Sequence, residues 1–361
     1  MGIFKKKRDC IFSSASPLAG LTAEVIEEND CSYLYLRKNE ISNGKPSFKM
    51  VSTCWIKNHV TVADAYSPKH DMSRGLQPKT HTRHCGFEHD MGILEAGQLE
   101  IVWGKEGLAV SLYENGELIC VIPAWADGRK FMGYSKYSCT SEYPSMIPFP
   151  LGNPQSNVLF QRMSEARTFW NQDFGLLWDS YKESYLAELE QKYGKHTKYY
   201  AIDGGVFPPK ALATFEKGGM KYAFTIGVGN FPQPKVDMYF EAYQNHELIE
   251  LGFCYRSNTD LEEQNVFSQI SSIAAIPWAF QTFLGHRHTV DLKVSSEYNN
   301  AVLISDKSVH VHKSHFLENQ TINLLWIMPV TNDVYMKLIA EPADYSDVET
   351  KITTDGIVCK F

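Results

Sequence analysis

The sequence lacks any hydrophobic run long enough to cross a bilayer. Its longest uninterrupted apolar stretch, Leu118 to Ala126, has nine residues, whereas a membrane-spanning helix needs about 20. The start of the chain also lacks the continuous apolar core of a signal peptide, because serines and Pro17 interrupt residues 10–20. We therefore expect a cytoplasmic protein without a membrane partner.

Positive charge is also scarce. The 361 residues contain 35 Lys and Arg against 42 Asp and Glu, which gives a formal net charge of −7. Nucleic-acid binding requires a basic surface that neutralises phosphates, so we expect no nucleic-acid partner. The only dense basic run is Lys5 to Arg8. Such a run could steer the chain toward anionic lipid, but a solvated tail is the simpler interpretation.

Paired cysteines are missing. The chain has eight cysteines, and none of them forms a C-x-x-C pair. They are spread thinly through a chain that is large enough to fold without disulfides. This pattern indicates free thiols in a reducing compartment, which agrees with a cytoplasmic location.

Motifs for nucleotide binding and hydrolysis are absent as well. The sequence contains neither G-x-S-x-G nor G-x-x-x-x-G-K-[ST]. The run from Gly227 to Gly229 begins like a dinucleotide motif, but Pro232 occupies the position of the third glycine. No helix pattern opens there to supply the amides that bind a pyrophosphate. We expect a turn at this point, no cofactor and no enzymatic activity.

Two sets of potential metal ligands leave one alternative open, a metal-dependent hydrolase. The sets are His246, Glu247 and Glu250, and His81, His84, Cys85 and His89. The first resembles H-E-x-x-H, in which two ligands share one helix face, but a glutamate replaces the second histidine. The second set lacks the spacing of ligand pairs that is found in zinc fingers. A solvated turn and a polar loop are the simpler interpretations, so we expect no metal.

The first 155 residues are predicted to form a β-rich domain. Their clearest local signal is a hairpin, in which strand-like runs 108–113 and 118–122 flank Asn115-Gly116. Asn and Gly tolerate the positive φ angles that a two-residue hairpin turn requires. Residues 61–96 are polar and rich in turn formers, which predicts a long loop. Several prolines between Pro144 and Pro154 predict a linker.

Residues 156–361 are predicted to form an α+β domain. Asn157 can cap a helix through Trp170, and a second helix spans residues 174–193 with an apolar side chain every fourth position. A third helix, 262–276, should end at Pro277. Strand-like runs include 222–228, 236–242, 301–304 and 322–328, and a last helix ends at Ala340. The run 322–328, which is apolar except for Asn323 and uninterrupted from Leu324 on, is typical of a strand covered on both faces.

The strand predicted for residues 236–242 supplies a candidate partner-binding face. Alternation would direct Val236, Met238 and Phe240 to one side, where they suit a core. The other side would expose Asp237, Tyr239 and Glu241, an aromatic ring between two carboxylates. Such a face suits a basic, partly apolar partner. A solvated sheet face with an ordinary tyrosine is the alternative.

Several segments of the second half resemble the suppressor-of-fused (SUFU) domain family. Residues 221–227, KYAFTIG, and 236–240, VDMYF, are similar to early strands of that domain, and 282–289, TFLGHRHT, to one of its turns. The most specific match is 323–331, NLLWIMPVT, followed by a helix, as in bacterial members. Residues 99–103 and 115–125 resemble the leader region of longer bacterial members. The resemblance implies that the first half of this chain forms an N-terminal extension domain.

This resemblance implies a SUFU-like mixed sheet with packed helices in the C-terminal half. It also implies a non-enzymatic, protein-binding role. Bacterial relatives are assigned to polymorphic toxin systems as immunity proteins, which bind a cognate toxin in the cytoplasm and neutralise it. An acidic chain would suit a basic toxin through complementary electrostatic steering.

Overall fold

Eighteen strands and five α-helices make up the computed structural model of this chain, which describes residues 9–42, 44–126, 131–139, 147–256, 260–294, 297–305, 311–318, 320–340 and 359–360. Three sheets contain the strands. The chain divides into two units, residues 1–172 and 173–361. The described helices include none that is long and apolar enough to cross a membrane.

The first unit contains two sheets and two helices. Its elements are β1 (Asp9–Ala15), β2 (Leu21–Glu28), β3 (Cys31–Ser42), β4 (Lys45–Asn58), α1 (Pro68–Ser73), β5 (Leu99–Trp103), β6 (Val110–Glu114), β7 (Glu117–Ile122), β8 (Tyr134–Ser135), β9 (Phe149–Pro150) and α2 (Val158–Trp170). Strands β1 to β4 form an antiparallel sheet in chain order, and β5 to β9 form the second sheet, also in chain order. A core of buried residues from both sheets joins them.

The predicted hairpin is confirmed. Strands β6 and β7 pair antiparallel, and the turn between them has positive φ at Asn115 (51°) and Gly116 (81°). Both central residues of a type I′ turn need this conformation. The local sequence therefore determines the turn, and the two adjacent strands form the hydrogen bonds that complete the hairpin.

Helix α2 belongs to the first unit. Its N-cap is confirmed, since the Asn157 side chain accepts a hydrogen bond from the backbone N–H of Leu159. Met163 and Ala166 on its buried face pack in one cluster with Val102 of β5. The unit therefore extends to Gln172, whereas the sequence suggested a division between residues 155 and 156. Part of the proline-rich stretch, residues 140–146, lies outside the described residues.

The second unit is built on one large mixed sheet. Its elements are α3 (Phe174–Tyr193), β10 (Lys198–Ala201), β11 (Ala211–Lys217), β12 (Met220–Ile226), β13 (Ile249–Arg256), α4 (Asp260–Phe280), β14 (Thr289–Asp291), β15 (Asn300–Ser305), β16 (Val311–Lys313), β17 (Thr321–Val330), α5 (Asn332–Ala340) and β18 (Cys359–Lys360). The strand order is β10-β11-β12-β13-β17-β15-β14, with β16 beside β17 and β18 beside β13. Strands β13 and β17 are parallel. The α+β class is confirmed.

The apolar run at residues 322–328 forms the centre of this sheet. Strand β17 lies between β13 and β15, and its residues from Leu324 to Ile327 are all buried. Trp326 is 4% exposed, and its ring contacts that of Phe224 at a centroid distance of 5.4 Å. The strand buries side chains on both faces, as its uninterrupted apolar sequence predicts.

Helix α4 departs from expectation at its C-terminal end. It contains Pro277 and continues to Phe280, so the predicted stop at the proline is wrong. The helix gains a further buried side chain beyond the proline, Trp278, at 5% exposure. The backbone N–H of Thr282 then donates to the carbonyl of Pro277 at 2.9 Å and closes the last turn. Burial of Trp278 offsets the helix hydrogen bond that proline cannot make.

Candidate partner-binding surface

The turn at Gly227 is organised around a buried carboxylate. Glu250 of β13 is fully buried, and its carboxylate accepts hydrogen bonds from the backbone N–H groups of Gly227 (2.7 Å) and Gly229 (3.1 Å). The hydroxyls of Tyr181 (2.7 Å) and Thr225 (2.6 Å) donate to the same carboxylate. The glycine amides that resemble a phosphate-binding motif thus bind an internal anion.

Glycine is required at position 227 for two reasons. Its φ of 102° lies in the left-handed region, and a Cβ there would come within 2.6 Å of the Trp178 ring. Burial raises the pKa of Glu250, and the hydrogen bonds from its four donors oppose that shift. This anchor joins α3, β12 and β13 just before the chain leaves the sheet.

A buried glutamine joins the two loops that follow. Gln233 is 2% exposed. Its side-chain N–H donates to the carbonyl of Leu284 (3.0 Å), and its side-chain oxygen accepts from the backbone N–H of Leu284 (2.8 Å). Its own backbone N–H donates to the carbonyl of Glu247 (2.8 Å). One amide therefore holds the loop at residues 281–288 beside the loop at residues 231–248.

These two loops together present aromatic rings at the surface. We call this surface the aromatic patch, and its members are Met238, Tyr239, Phe240, His246, Phe283 and His288. Ring centroids lie 5.2 Å apart for Tyr239 and Phe283, 5.9 Å for Phe240 and Phe283, and 4.2 Å for Phe240 and His246. Tyr239 is 65% exposed. The rings pack against one another and leave apolar area facing solvent.

The strand predicted for residues 236–242 is wrong. Val236–Met238 forms a 3-10 turn, and Lys235 before it has a positive φ of 62°. Proline at positions 232 and 234 removes two backbone N–H groups just before the segment, and no described strand pairs with the segment itself. Side chains therefore do not alternate between two faces here.

The three residues predicted for partner binding nevertheless lie close in this loop. Tyr239 and Glu241 are exposed, and Asp237 is half-buried. Tyr239 belongs to the aromatic patch, together with Met238 and Phe240, which alternation had assigned to a core. Phe283 and His288 were not predicted to lie here, because they are about 45 residues away and reach the loop only through the Gln233 contacts.

The ligand set His246, Glu247 and Glu250 does not assemble. Residues 243–245 form a 3-10 turn and β13 begins at Ile249, so no helix face unites the three. His246 stacks on Phe240. The Glu247 carboxylate accepts a hydrogen bond from the side-chain amide of Gln320 at 2.6 Å, and Glu250 is engaged inside the unit. Each side chain serves a separate contact.

The second ligand set lies in the loop of the first unit. The rings of His81 and His84 are 6.0 Å apart, and Nε2 of His89 accepts a hydrogen bond from the backbone N–H of Asn58 at 3.0 Å. Burial raises the pKa of the Cys85 thiol to about 12, which disfavours the thiolate that binds metals. Within the described residues, no three His, Cys, Asp or Glu side chains group as metal ligands would.

Comparisons with known proteins give similarity to solved structures only. No protein-family model and no curated protein matches the chain. The chain is similar to a putative SUFU homologue from Neisseria gonorrhoeae, with 12% identity, a TM-score of 0.36, and coverage of 49% of this chain and 91% of that one. It is also similar to a structure of the Sufu–Fu complex, with 12% identity, a TM-score of 0.38, and coverage of 49% and 88%.

Proposed function

We propose that this chain is a non-enzymatic protein-binding module that engages its partner through the aromatic patch. The exposed rings of Tyr239 and Phe240, packed against the half-buried ring of Phe283, carry the proposal. Aromatic side chains give large contact areas at low entropic cost and dominate the energy of many interfaces. Because the Gln233 contacts hold both loops in place, the rings are arranged before a partner arrives, which lowers the cost of binding.

Charge near the patch favours a basic partner. Asp237 and Glu241 flank Tyr239 in the same loop, and the two loops together carry three carboxylates, with Glu247, against two cations, Lys235 and Arg287. The net charge of −7 adds an attractive long-range field for a cationic protein. The partner we propose is a cognate toxin of a polymorphic toxin system, which the chain binds in the cytoplasm and neutralises as its immunity protein. The resemblance of residues 323–331 to bacterial SUFU domains supports this assignment.

The proposal is tested by measuring binding to candidate toxins from genes that neighbour this one. The double variant Tyr239→Ser, Phe283→Ser should weaken binding by about 30-fold or more in calorimetry, since each ring is expected to act as a hot spot. Leu176→Ser is the matched control, because Leu176 is 71% exposed on α3 and lies outside the patch. It should change the affinity by less than about threefold.

Protection of cells against the toxin gives a second readout. The double variant should lose protection while remaining folded, which its unfolding transition checks, because Tyr239 is exposed and Phe283 lies half-buried at the edge of the unit's surface loops. If the double variant binds and protects as well as Leu176→Ser does, the aromatic patch is not the partner site. If no neighbouring toxin binds the wild type, the immunity role is wrong, whatever other partner the patch binds.

A further inference from the structure

Strands β3 and β4 extend beyond the rest of their sheet. Strand β2 begins at Leu21, which pairs with Lys38. Beyond that point, residues 40–42 and 45–47 pair only with each other among the described residues. We call residues 37–42 and 45–50 the β-arm. Beyond Arg37 and Lys38, which are half-buried and still pair with β2, it is a two-stranded ribbon of the first unit whose side chains are mostly exposed on both faces.

One face of the β-arm is apolar and exposed. Directly paired residues of antiparallel strands share a face, and the pairs Asn39 with Phe48 and Ile41 with Pro46 therefore lie on the same side. Met50 continues that face by alternation. Ile41 is 82% exposed, Phe48 57% and Met50 37%. This is a concentration of large apolar side chains that the first unit does not cover.

The opposite face is basic. It carries Lys38, Lys45 and Lys49, with Glu40 as its one carboxylate. Lys38 and Lys49 are paired directly opposite each other, an arrangement of like charges that destabilises a sheet. None of the three lysines has an ion-pair partner among the residues that the structure describes.

The arm therefore differs in charge from the rest of the chain. The guanidinium of Arg37 lies 4.3 Å from the centre of the Phe48 ring and pairs with the carboxylate of Glu24 in β2 at 2.7 Å, so Arg37 adds no net charge. The three lysines against Glu40 leave the arm with a net charge of +2 in a chain of net charge −7. An anionic surface would relieve the repulsion between the paired lysines, and an apolar boundary would cover the opposite face.

We propose that the β-arm binds an anionic lipid surface. Ile41, Phe48 and Met50 would enter the boundary between headgroups and acyl chains, and the lysines would extend their flexible stems toward lipid phosphates. The expectation of no membrane partner followed from the absence of a hydrophobic run long enough to span a bilayer. An interfacial ribbon needs no such run, because only one of its faces is buried in lipid.

A lipid surface suits this face better than a second copy of the chain does. A stable interface between proteins involves about 20–30 residues on each side, whereas the arm offers four apolar side chains, those of Ile41, Pro46, Phe48 and Met50. Two like-charged ribbons would also repel each other. Lipid binding requires no minimum contact area, because anionic headgroups attract each nearby lysine independently.

The test is co-sedimentation of the full chain with vesicles. Wild-type protein should bind vesicles of equimolar phosphatidylcholine and phosphatidylglycerol at least about tenfold more tightly than vesicles of phosphatidylcholine alone. Ile41→Ser with Phe48→Ser should abolish most of this binding. The triple variant Lys38→Gln, Lys45→Gln, Lys49→Gln should remove the preference for anionic vesicles. Apart from the half-buried Lys38 these side chains are exposed, so the variants should retain an unfolding midpoint close to that of the wild type.

Two controls distinguish the arm from other segments that could bind lipid. Phe87→Ser removes an exposed ring elsewhere in the first unit and should leave binding unchanged. Lys5→Gln, Lys6→Gln, Lys7→Gln removes charge from the basic run at the start of the chain. If that variant loses as much binding as the arm lysine variant, the basic run is the lipid site. The proposal is also overturned if anionic vesicles do not bind, or if sedimentation velocity shows a dimer that Phe48→Ser dissociates.

Discussion

Strand β6 of the β6–β7 hairpin, VSLYE, and the loop at residues 236–242, VDMYFEA, have similar alternating sequences but different structures. In the hairpin, Asn115 and Gly116 supply a turn whose backbone matches the twist of the strands, and each strand has its partner next to it in the chain. The loop has no such neighbour, and Pro232 and Pro234 precede it. Alternation therefore predicts a strand only where a partner is available to complete the hydrogen bonds.

The largest effect is expected where burial is complete. Trp326→Ala should lower the free energy of unfolding by about 3–5 kcal/mol, because it opens a cavity beneath the central strand. Chemical denaturation of the full chain measures this change. Tyr239→Ala, at an exposed ring, should cost much less, and an unchanged midpoint for Trp326→Ala would mean that β17 is not a core strand.

Gln233→Ala tests whether tertiary contacts hold the aromatic loops. The change leaves the backbone N–H and carbonyl of Leu284 without their side-chain partners, which should cost about 1–3 kcal/mol. Hydrogen exchange at the Leu284 amide should accelerate. Gln244→Ala, at an exposed position in the same region, is the control. Equal exchange in both variants would show that Gln233 does not organise the loops.

Gly116→Ala tests the local determinant of the hairpin. An alanine must adopt the left-handed conformation there, at a cost of about 1–2 kcal/mol. Gly97→Ala is the matched control, since Gly97 has no positive φ and a Cβ added there would have no atom within 4 Å. The difference between the two unfolding midpoints measures the cost of placing alanine in the left-handed conformation of the turn. Equal midpoints would contradict the type I′ assignment.

The smallest effect is the dependence of stability on pH at Glu250. Its pKa is raised in the folded state, so between its ordinary value and the raised value the folded chain binds more protons than the unfolded chain. This contribution favours folding at low pH and is lost as pH rises through the raised pKa.

Glu250→Gln should remove that contribution. The stability of the wild type relative to this variant should therefore fall as pH rises from about 4.5, the ordinary pKa of a glutamate. Comparing the two proteins cancels the opposite contribution of carboxylates such as Glu263, whose pKa is lowered because the hydrogen bonds from Lys198 and Lys221 outweigh its burial. A difference in stability that does not change with pH would contradict the raised pKa.

Local chemistry made much of the fold predictable. Helix α3 has the predicted bounds, Phe174–Tyr193, because its apolar residues recur every fourth position and Gly194 follows. The end of α4 was not predicted, because the burial of Trp278 depends on what packs around it.

The candidate site was predictable only in part. Tyr239 was identified for its place between Asp237 and Glu241, but through a strand that does not form. Phe283 carried no local signal that related it to Tyr239. Similarly, the glycines at positions 227 and 229 were correctly assigned to a turn, while the carboxylate of Glu250 that their amides bind lies 21 residues or more along the chain.

The sequence by itself determined the elements whose hydrogen bonds and turn conformations close within a few residues, such as the Asn115-Gly116 hairpin and the capped helices α2 and α3. It also determined that β17 is buried, because an uninterrupted apolar run has no polar face to expose. Only the tertiary structure decided which distant residues meet at Glu250, at Gln233 and in the aromatic patch. The physical reason is that these contacts depend on the path of the chain through space, which spacing along the sequence does not encode.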